Sequence, residues 1–285
     1  MFRIVFLIMA ALTLSSQVSL AASLHDKPLK LGFMPYLNAQ TLIEKYTPLA
    51  HYLSDKVGRH VEVTVAKNYA EHIRLTGDDK LDIAFLGGSP YVVIDERYGK
   101  KPLLVRYEFD NKPTFRSVIF VAKNSPFRRL DDLKNKRIAF GSKKSTLSTQ
   151  VPAYMLLKAG VNLSDLKSFK HLRNHENVLL GVEFGDFDAG AIAEEVYQEH
   201  KEKHKLRALA FSDELSTHVF VARADLSEKI CVDIRQALLD LKSSPQANTI
   251  LTTIGANLTG FVSVKDSDYD AHREILNQVL PLLEQ

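Results

Sequence analysis

The feature that most constrains this chain is a repeated switch between two hydrophobic periodicities. Short β-branched runs alternate with stretches whose apolar residues recur at helical spacing, and the cycle runs twice. In the first cycle, residues 29–33, 61–65, 81–86 and 103–107 read as strands. Residues 39–57 carry a helical stripe at Leu42, Ile43, Tyr46, Leu49, Leu53 and Val57. Pro48 interrupts that stripe, and Thr47 before it predicts a cap and a restart or kink. A helix is expected over about 90–98. In the second cycle, residues 118–121, 137–140, 188–192 and 206–211 read as strands, with helices over 149–159, 174–184 and 194–203. One strand at 219–222 follows, then helices near 226–241, 245–254 and 269–283. This order predicts an α/β fold of two lobes, each a mainly parallel sheet flanked by helices. The polar Asp110-Asn111-Lys112 before Pro113 marks one crossing between lobes, and Ser212-Asp213-Glu214 a return. Lobe 1 is therefore expected to hold residues 22–113 plus 213–285, and lobe 2 residues 114–212.

Residues 1–21 read as an address label. Arg3 is followed by an apolar run from Ile4 to Leu14, too short to span a bilayer, and Ser19-Leu20-Ala21 fits a small-x-small cleavage site. A cleavable signal peptide is expected, delivering a soluble protein to the periplasm. The single cysteine, Cys231, lies far from that site, which excludes a lipoprotein anchor there, an internal disulfide and a CxxC metal or redox motif. A formal charge of +3 without a basic stripe does not suit nucleic-acid binding.

Two loop-to-helix junctions are the sharpest candidates for chemistry. After residues 81–86 comes Gly87-Gly88-Ser89-Pro90, where Ser89 reads as a cap and Pro90 as a first-turn residue. After residues 137–140 comes Gly141, then Ser145-Thr146-Leu147-Ser148. Both lie at the carboxyl ends of expected parallel strands, where open α/β sheets bind ligands. Gly88, Ser89, Ser145, Thr146 and Ser148 offer backbone N–H groups, hydroxyls and the positive ends of helix dipoles, a combination suited to an anion. Tyr69 is a candidate cleft wall with a hydroxyl donor, His175 a donor at a helix start, and Glu195 an acid at another. His200 and His204 have metal-ligand spacing but sit in a strongly charged run with no evident third ligand, so they read as a solvated face and no metal is expected. No nucleophile-elbow, P-loop, zincin or dinucleotide motif occurs, so neither catalytic residues nor a cofactor is expected.

Taken in order, several segments resemble the phosphonate/phosphate/phosphite-type periplasmic substrate-binding proteins of ABC transporters. They are Leu31-Gly32-Phe33, Tyr46-Thr47-Pro48-Leu49, Asn68-Tyr69-Ala70, residues 81–85, Ser125-Pro126 through Leu133, Phe140-Gly141 with Ser145-Thr146-x-Ser148 and Val151-Pro152, His175-Glu176, and Phe187-Asp188-Ala189. The resemblance implies a type II periplasmic-binding-protein fold closing on a small oxyanion such as a phosphonate, phosphite or phosphate. It implies that the protein is a monomer without enzymatic activity and delivers its ligand to a membrane permease. A periplasmic sensor feeding a membrane histidine kinase or cyclase is the alternative, and a hydrolase a remote one. By the same resemblance Tyr69, Ser145, Thr146 and His175 match oxyanion-binding positions, and Ser148 stands in for a serine one place earlier. Glu195 roughly matches an acid facing an aminoalkyl group. Leu86 replaces a tyrosine of aminoalkylphosphonate binders, and the region of Thr217 and His218 lacks their second acid.

Overall fold

A computed structural model describes residues 27–283; the expected signal peptide lies outside them. The first cycle forms β1 (Leu29–Phe33), α1 (Ala39–Val57), β2 (Val61–Val65), α2 (Tyr69–Gly77), β3 (Ile83–Leu86), α3 (Gly88–Tyr98) and β4 (Leu103–Phe109). The chain then crosses through β5 (Thr114–Phe115) into β6 (Ser117–Ala122) and β7 (Arg137–Phe140). A π-helical turn (Thr146–Gln150) leads into α4 (Val151–Lys158), followed by β8 (Ser168–His171), α5 (His175–Glu183), β9 (Ala189–Ala193), α6 (Glu194–His200) and β10 (Leu206–Phe211). It returns through β11 (Leu215–Ser216) to β12 (Val219–Ala222), α7 (Glu228–Asp240), α8 (Ala247–Ile254), β13 (Leu258–Val262) and α9 (Asp270–Leu283).

The strands make a six-stranded sheet, β13-β4-β12-β3-β1-β2, and a five-stranded sheet, β10-β6-β9-β7-β8. Helices flank both, giving the two-lobe α/β architecture. The sheets are mixed rather than mainly parallel, for a topological reason. β1, β2 and β3 run parallel, as do β7, β8 and β9. β6, entered at the first crossing, pairs antiparallel with β9 and β10, and β12, entered at the return, with β3 and β4; β13, late in the chain, adds a further antiparallel pairing to β4. A two-stranded ladder, Leu215 opposite Phe115 and Ser216 opposite Thr114, ties the two crossings together. Arg116, at that junction, grips Glu194 through two hydrogen bonds of 2.8 Å.

Local chemistry explains most element boundaries. Asn38, Asn68 and Asn174 each accept a backbone N–H in the first turns of α1, α2 and α5. α1 buries Leu42, Tyr46, Leu49 and Leu53 on one face, while Ile43, counted in the same stripe, is exposed. The restart expected at Pro48 does not occur: α1 runs through it. Thr47 caps nothing, its hydroxyl instead donating to the Ile43 carbonyl at 2.7 Å. α3 begins at Gly88, with Gly87 as its cap and no side-chain capping bond, so Ser89 lies inside the first turn instead of capping it. Cys231 is buried on α7, and burial pushes its thiol above the usual value. His204 is also buried, paired with Glu183 rather than solvated beside His200. Among the described residues no cluster of three or more metal-ligating side chains forms.

Candidate functional site

The carboxyl ends of β1, β2, β3, β7, β8 and β9 each run into a loop or helix start facing the cleft between the lobes. The lobes touch there. The Ser89 backbone N–H, in the first turn of α3, donates to the Thr146 hydroxyl at 3.0 Å. The Thr146 hydroxyl hydrogen is left to donate elsewhere. The His175 backbone N–H donates to the Tyr36 carbonyl at 3.0 Å, and the Asn38 amide bonds both Glu176 carboxylate oxygens at 3.0 Å. Two helix starts from opposite lobes, α3 and the π-turn leading into α4, thus meet face to face, with the start of α5 alongside.

Most of the expected site residues gather at this meeting point. Ser145 accepts the Ser148 backbone N–H and is 4% exposed, as are Thr146, Tyr69 and His175. Tyr69 starts α2; burial pushes its phenol above the ordinary value, and the nearby Ser145 side chain pulls the other way. It stays neutral and able to donate. Burial lowers His175 to about 3, so its imidazole is neutral, and neither ring nitrogen has a protein partner. Gly88 is required by a close approach: a Cβ there would lie 2.1 Å from the His272 ring.

Two expected residues are placed differently. The Ser148 hydroxyl donates to the Ala191 carbonyl at 3.0 Å, and its own carbonyl accepts the Gly141 N–H at 3.0 Å. It anchors the loop to β9 instead of facing the cleft. Glu195 lies in a second region, a chamber of about 150 Å³ that it lines with Tyr36, Tyr46, Phe85, Tyr107 and His218. The tyrosine hydroxyls form a chain there, Tyr107 donating to Tyr46 at 2.8 Å and Tyr46 lying 3.0 Å from Tyr36. Burial, with Glu194 and Glu199 nearby, raises the Glu195 carboxyl to about 7. Tyr36 links this chamber to the meeting point, its ring 6.0 Å from that of His175 and 6.3 Å from that of His218.

Four residues that the sequence reading did not select join the site: Tyr36, Asn38, His218 and His272. His218 stacks on Phe85 at 4.7 Å and meets the edge of Phe115 at 4.8 Å. His272, 1% exposed near the start of α9, has no partner at either ring nitrogen. Asn38 had a readable signal, as an asparagine just before a helical stripe. The Thr217–His218 region stood out only for lacking an acid, which did not mark His218 itself, and His272 had no signal because it comes from a helix near the far end of the chain.

Against known proteins, the family described as the periplasmic substrate-binding protein of phosphonate ABC transporters matches residues 31–269. The chain is 25% identical to the probable ABC transporter phosphite binding protein PhnD1 of Prochlorococcus marinus (strain MIT 9301), over 96% of this chain and 97% of that protein. It is 27% identical to the phosphonates-binding periplasmic protein of Escherichia coli (strain K12), over 87% of this chain and 78% of that protein. Its fold matches the structure of the Prochlorococcus marinus PhnD1 in complex with methylphosphonate with a TM-score of 0.82 at 24% identity, covering 90% of this chain and 99% of that one.

Proposed function

The chain belongs to the periplasmic substrate-binding proteins of phosphonate ABC transporters, and from that premise we propose which of its residues hold the ligand. It is a binding protein, not an enzyme, taking a small oxyanion such as a phosphonate or phosphite and delivering it to an ABC permease. The head of the oxyanion sits between the α3 start at Gly88 and Ser89 and the Ser145-Thr146 turn. Tyr69 and His175 close the sides. Ser148 acts from beneath, holding the loop in place. Glu195 faces any organic substituent, in the chamber it lines.

The observation that carries this reading is the Ser89 N–H to Thr146 contact at 3.0 Å, which joins two helix starts, together with the unpartnered, neutral His175 ring at the start of a third helix. Backbone N–H groups at helix starts and neutral hydroxyls bind an anion without a cationic side chain. Residues 22–113 with 213–285 act as one lobe and 114–212 as the other. The β5–β11 ladder lies at the two crossings where they hinge. Residues 1–21 serve as a cleaved export signal, and the exported chain works as a monomer. Closure is what the permease reads, since only a difference in affinity between open and closed forms can signal occupancy.

The test is calorimetric titration of the purified protein with methylphosphonate, phosphite and phosphate, with phosphorus NMR of the freshly isolated protein. Tight binding of at least one is expected. Failure of all three to bind would overturn the reading. Co-purification with a sensor kinase in place of a permease would reassign the partner and leave the ligand site intact.

A further inference from the structure

Hydroxyls and helix ends bind an oxyanion, but a cation beside them would favour a doubly charged oxyanion over a singly charged one of the same shape. The cations near the meeting point are mostly engaged by other groups. Arg273, beside His272, is held by Asp95, Asp266 and Asp270. Lys45, which lines the chamber of Glu195 and His218, donates to the Ile254 carbonyl at 3.2 Å and pairs with Glu199. Lys143, Lys144 and Arg97 share a small recess with the buried Ser89. What does face inward is imidazole: five ring nitrogens of His175, His218 and His272 are buried without a partner. His218 lies within electrostatic range of the other two.

The three are not equivalent as proton acceptors. His175 is the first residue of α5, and His272 lies in the first turn of α9 with its ring against the first turn of α3. Helix starts carry partial positive charge, so a second proton on either is opposed. Arg273 opposes it further at His272. His218 precedes β12 and sits at no helix start. Its ring stacks on Phe85 at 4.7 Å, within 26° of parallel, and on Tyr36 at 6.3 Å. Aromatic faces stabilise a cation held over them. Glu195 lines the same chamber.

We propose that His218 is the charge-matching residue of this site: it takes up a proton as the oxyanion binds, and so selects doubly charged oxyanions over singly charged ones of the same shape. The inference rests on the oxyanion reading above. The remaining groups facing the cluster fit this role. Glu176 is tied to Asn38, Tyr36, Tyr69 and Tyr107 are held neutral by burial, and the free His218 ring is itself held neutral, at about 3, by burial and its two histidine neighbours. An anionic charge in the adjoining, partly dry head site favours the imidazolium, and a dianion does so twice as strongly as a monoanion. The proton comes from solvent, so affinity for a dianion rises as pH falls, by up to about tenfold per pH unit while one proton is taken up.

Three measurements on the whole protein test this. Long-range proton–nitrogen NMR of the imidazoles should show His218 neutral in the free protein and doubly protonated with methylphosphonate bound near pH 7.5. Calorimetry in buffers of different ionisation enthalpy, at a pH above the second ionisation of methylphosphonate so that the ligand brings no proton of its own, should report proton uptake with methylphosphonate and none with methanesulfonate. Preference for methylphosphonate over methanesulfonate should fall by roughly tenfold in His218→Asn and in His218→Gln. Histidines that all stay neutral in the complex overturn the proposal, and that reading needs no variant. Uptake that survives both histidine variants but vanishes in Glu195→Gln overturns it in favour of the carboxyl. Binding without proton uptake overturns it and leaves the oxyanion site standing, whereas failure of every oxyanion to bind removes both.

Discussion

The two regions flanking Tyr36 are built on opposite principles. The one where Ser89 meets Thr146 brings together backbone N–H groups and small hydroxyls at helix starts, and its donors come from local loop chemistry. The one around Glu195 is a chamber walled by Tyr36, Tyr46, Phe85, Tyr107 and His218, with Glu195 among aromatic rings. Under the assignment proposed above, the first would take the oxyanion head and the second any organic substituent, with His218 adding a charge-matching group from the second side. Each part of that assignment can be broken separately.

The largest effect is expected at Thr146. Thr146→Val keeps the shape but leaves the buried Ser89 N–H unpaired, at about 1–3 kcal/mol, and removes a ligand hydrogen bond of about 0.5–1.5 kcal/mol. Affinity for methylphosphonate should fall about tenfold or more by calorimetry, and an unchanged value would remove Thr146 from the head site. Ser148→Ala tests the opposite side of that assignment. With its hydroxyl bonded to the Ala191 carbonyl, the variant should lose about 1–2 kcal/mol of stability in urea unfolding while ligand affinity moves less than about twofold. A large affinity loss with normal stability would place Ser148 in the ligand shell.

Glu195 sharpens the second half of the comparison through pH. Its folded carboxyl titrates at about 7, above its ordinary 4.5, so between those values the folded state holds a proton that the unfolded chain has released. Stability from this group is therefore complete below about pH 4.5, is lost progressively as pH rises to 7, and changes no further above. Glu195→Gln should unfold like the parent near pH 5 and at a higher temperature near pH 8, by an amount on the order of 1 kcal/mol. Parallel curves at both pH values would mean that Glu195 is ionised and solvated. The smallest effect is expected at the rim. Asn38→Ser keeps a capping hydroxyl for α1 but removes the inter-lobe bonds to Glu176, and should weaken binding only about twofold, about 0.5 kcal/mol, through the closed state. Solution scattering of the free variant should show a more open particle, and an unaltered profile would mean that the rim bond does not bias closure.

What could be read in the chain divides along the same line. Gly87 to Pro90 and Ser145 to Ser148 were legible because glycine, proline and capping hydroxyls act on the backbone within a few residues. Their placement at strand ends followed from the alternation of periods. The roles of Ser89 and Ser148 were not legible. Whether a hydroxyl caps, anchors or faces a ligand depends on which carbonyl or N–H tertiary packing brings beside it, here Ala191 for Ser148. Strands β8 and β13 escaped notice for a related reason. β8 is mostly exposed at a sheet edge and lacks the apolar alternation that marks a half-buried strand. β13 is short, broken by Gly260 and paired through a bulge.

By itself the sequence determined the two α/β cycles, their order, the crossings and the anion-suited loops, because each of these is written in local periodicity and local backbone chemistry. It also carried the ordered segments that mark the family. Only the tertiary structure decided the mixed strand directions, the separation of the Ser89–Thr146 contact from the Glu195 chamber, and the arrival of His218 and His272 near His175. Those depend on contacts between residues tens to hundreds of positions apart, where the interaction is set by how lobes, crossings and the last helix close in space and leaves no periodic trace along the chain.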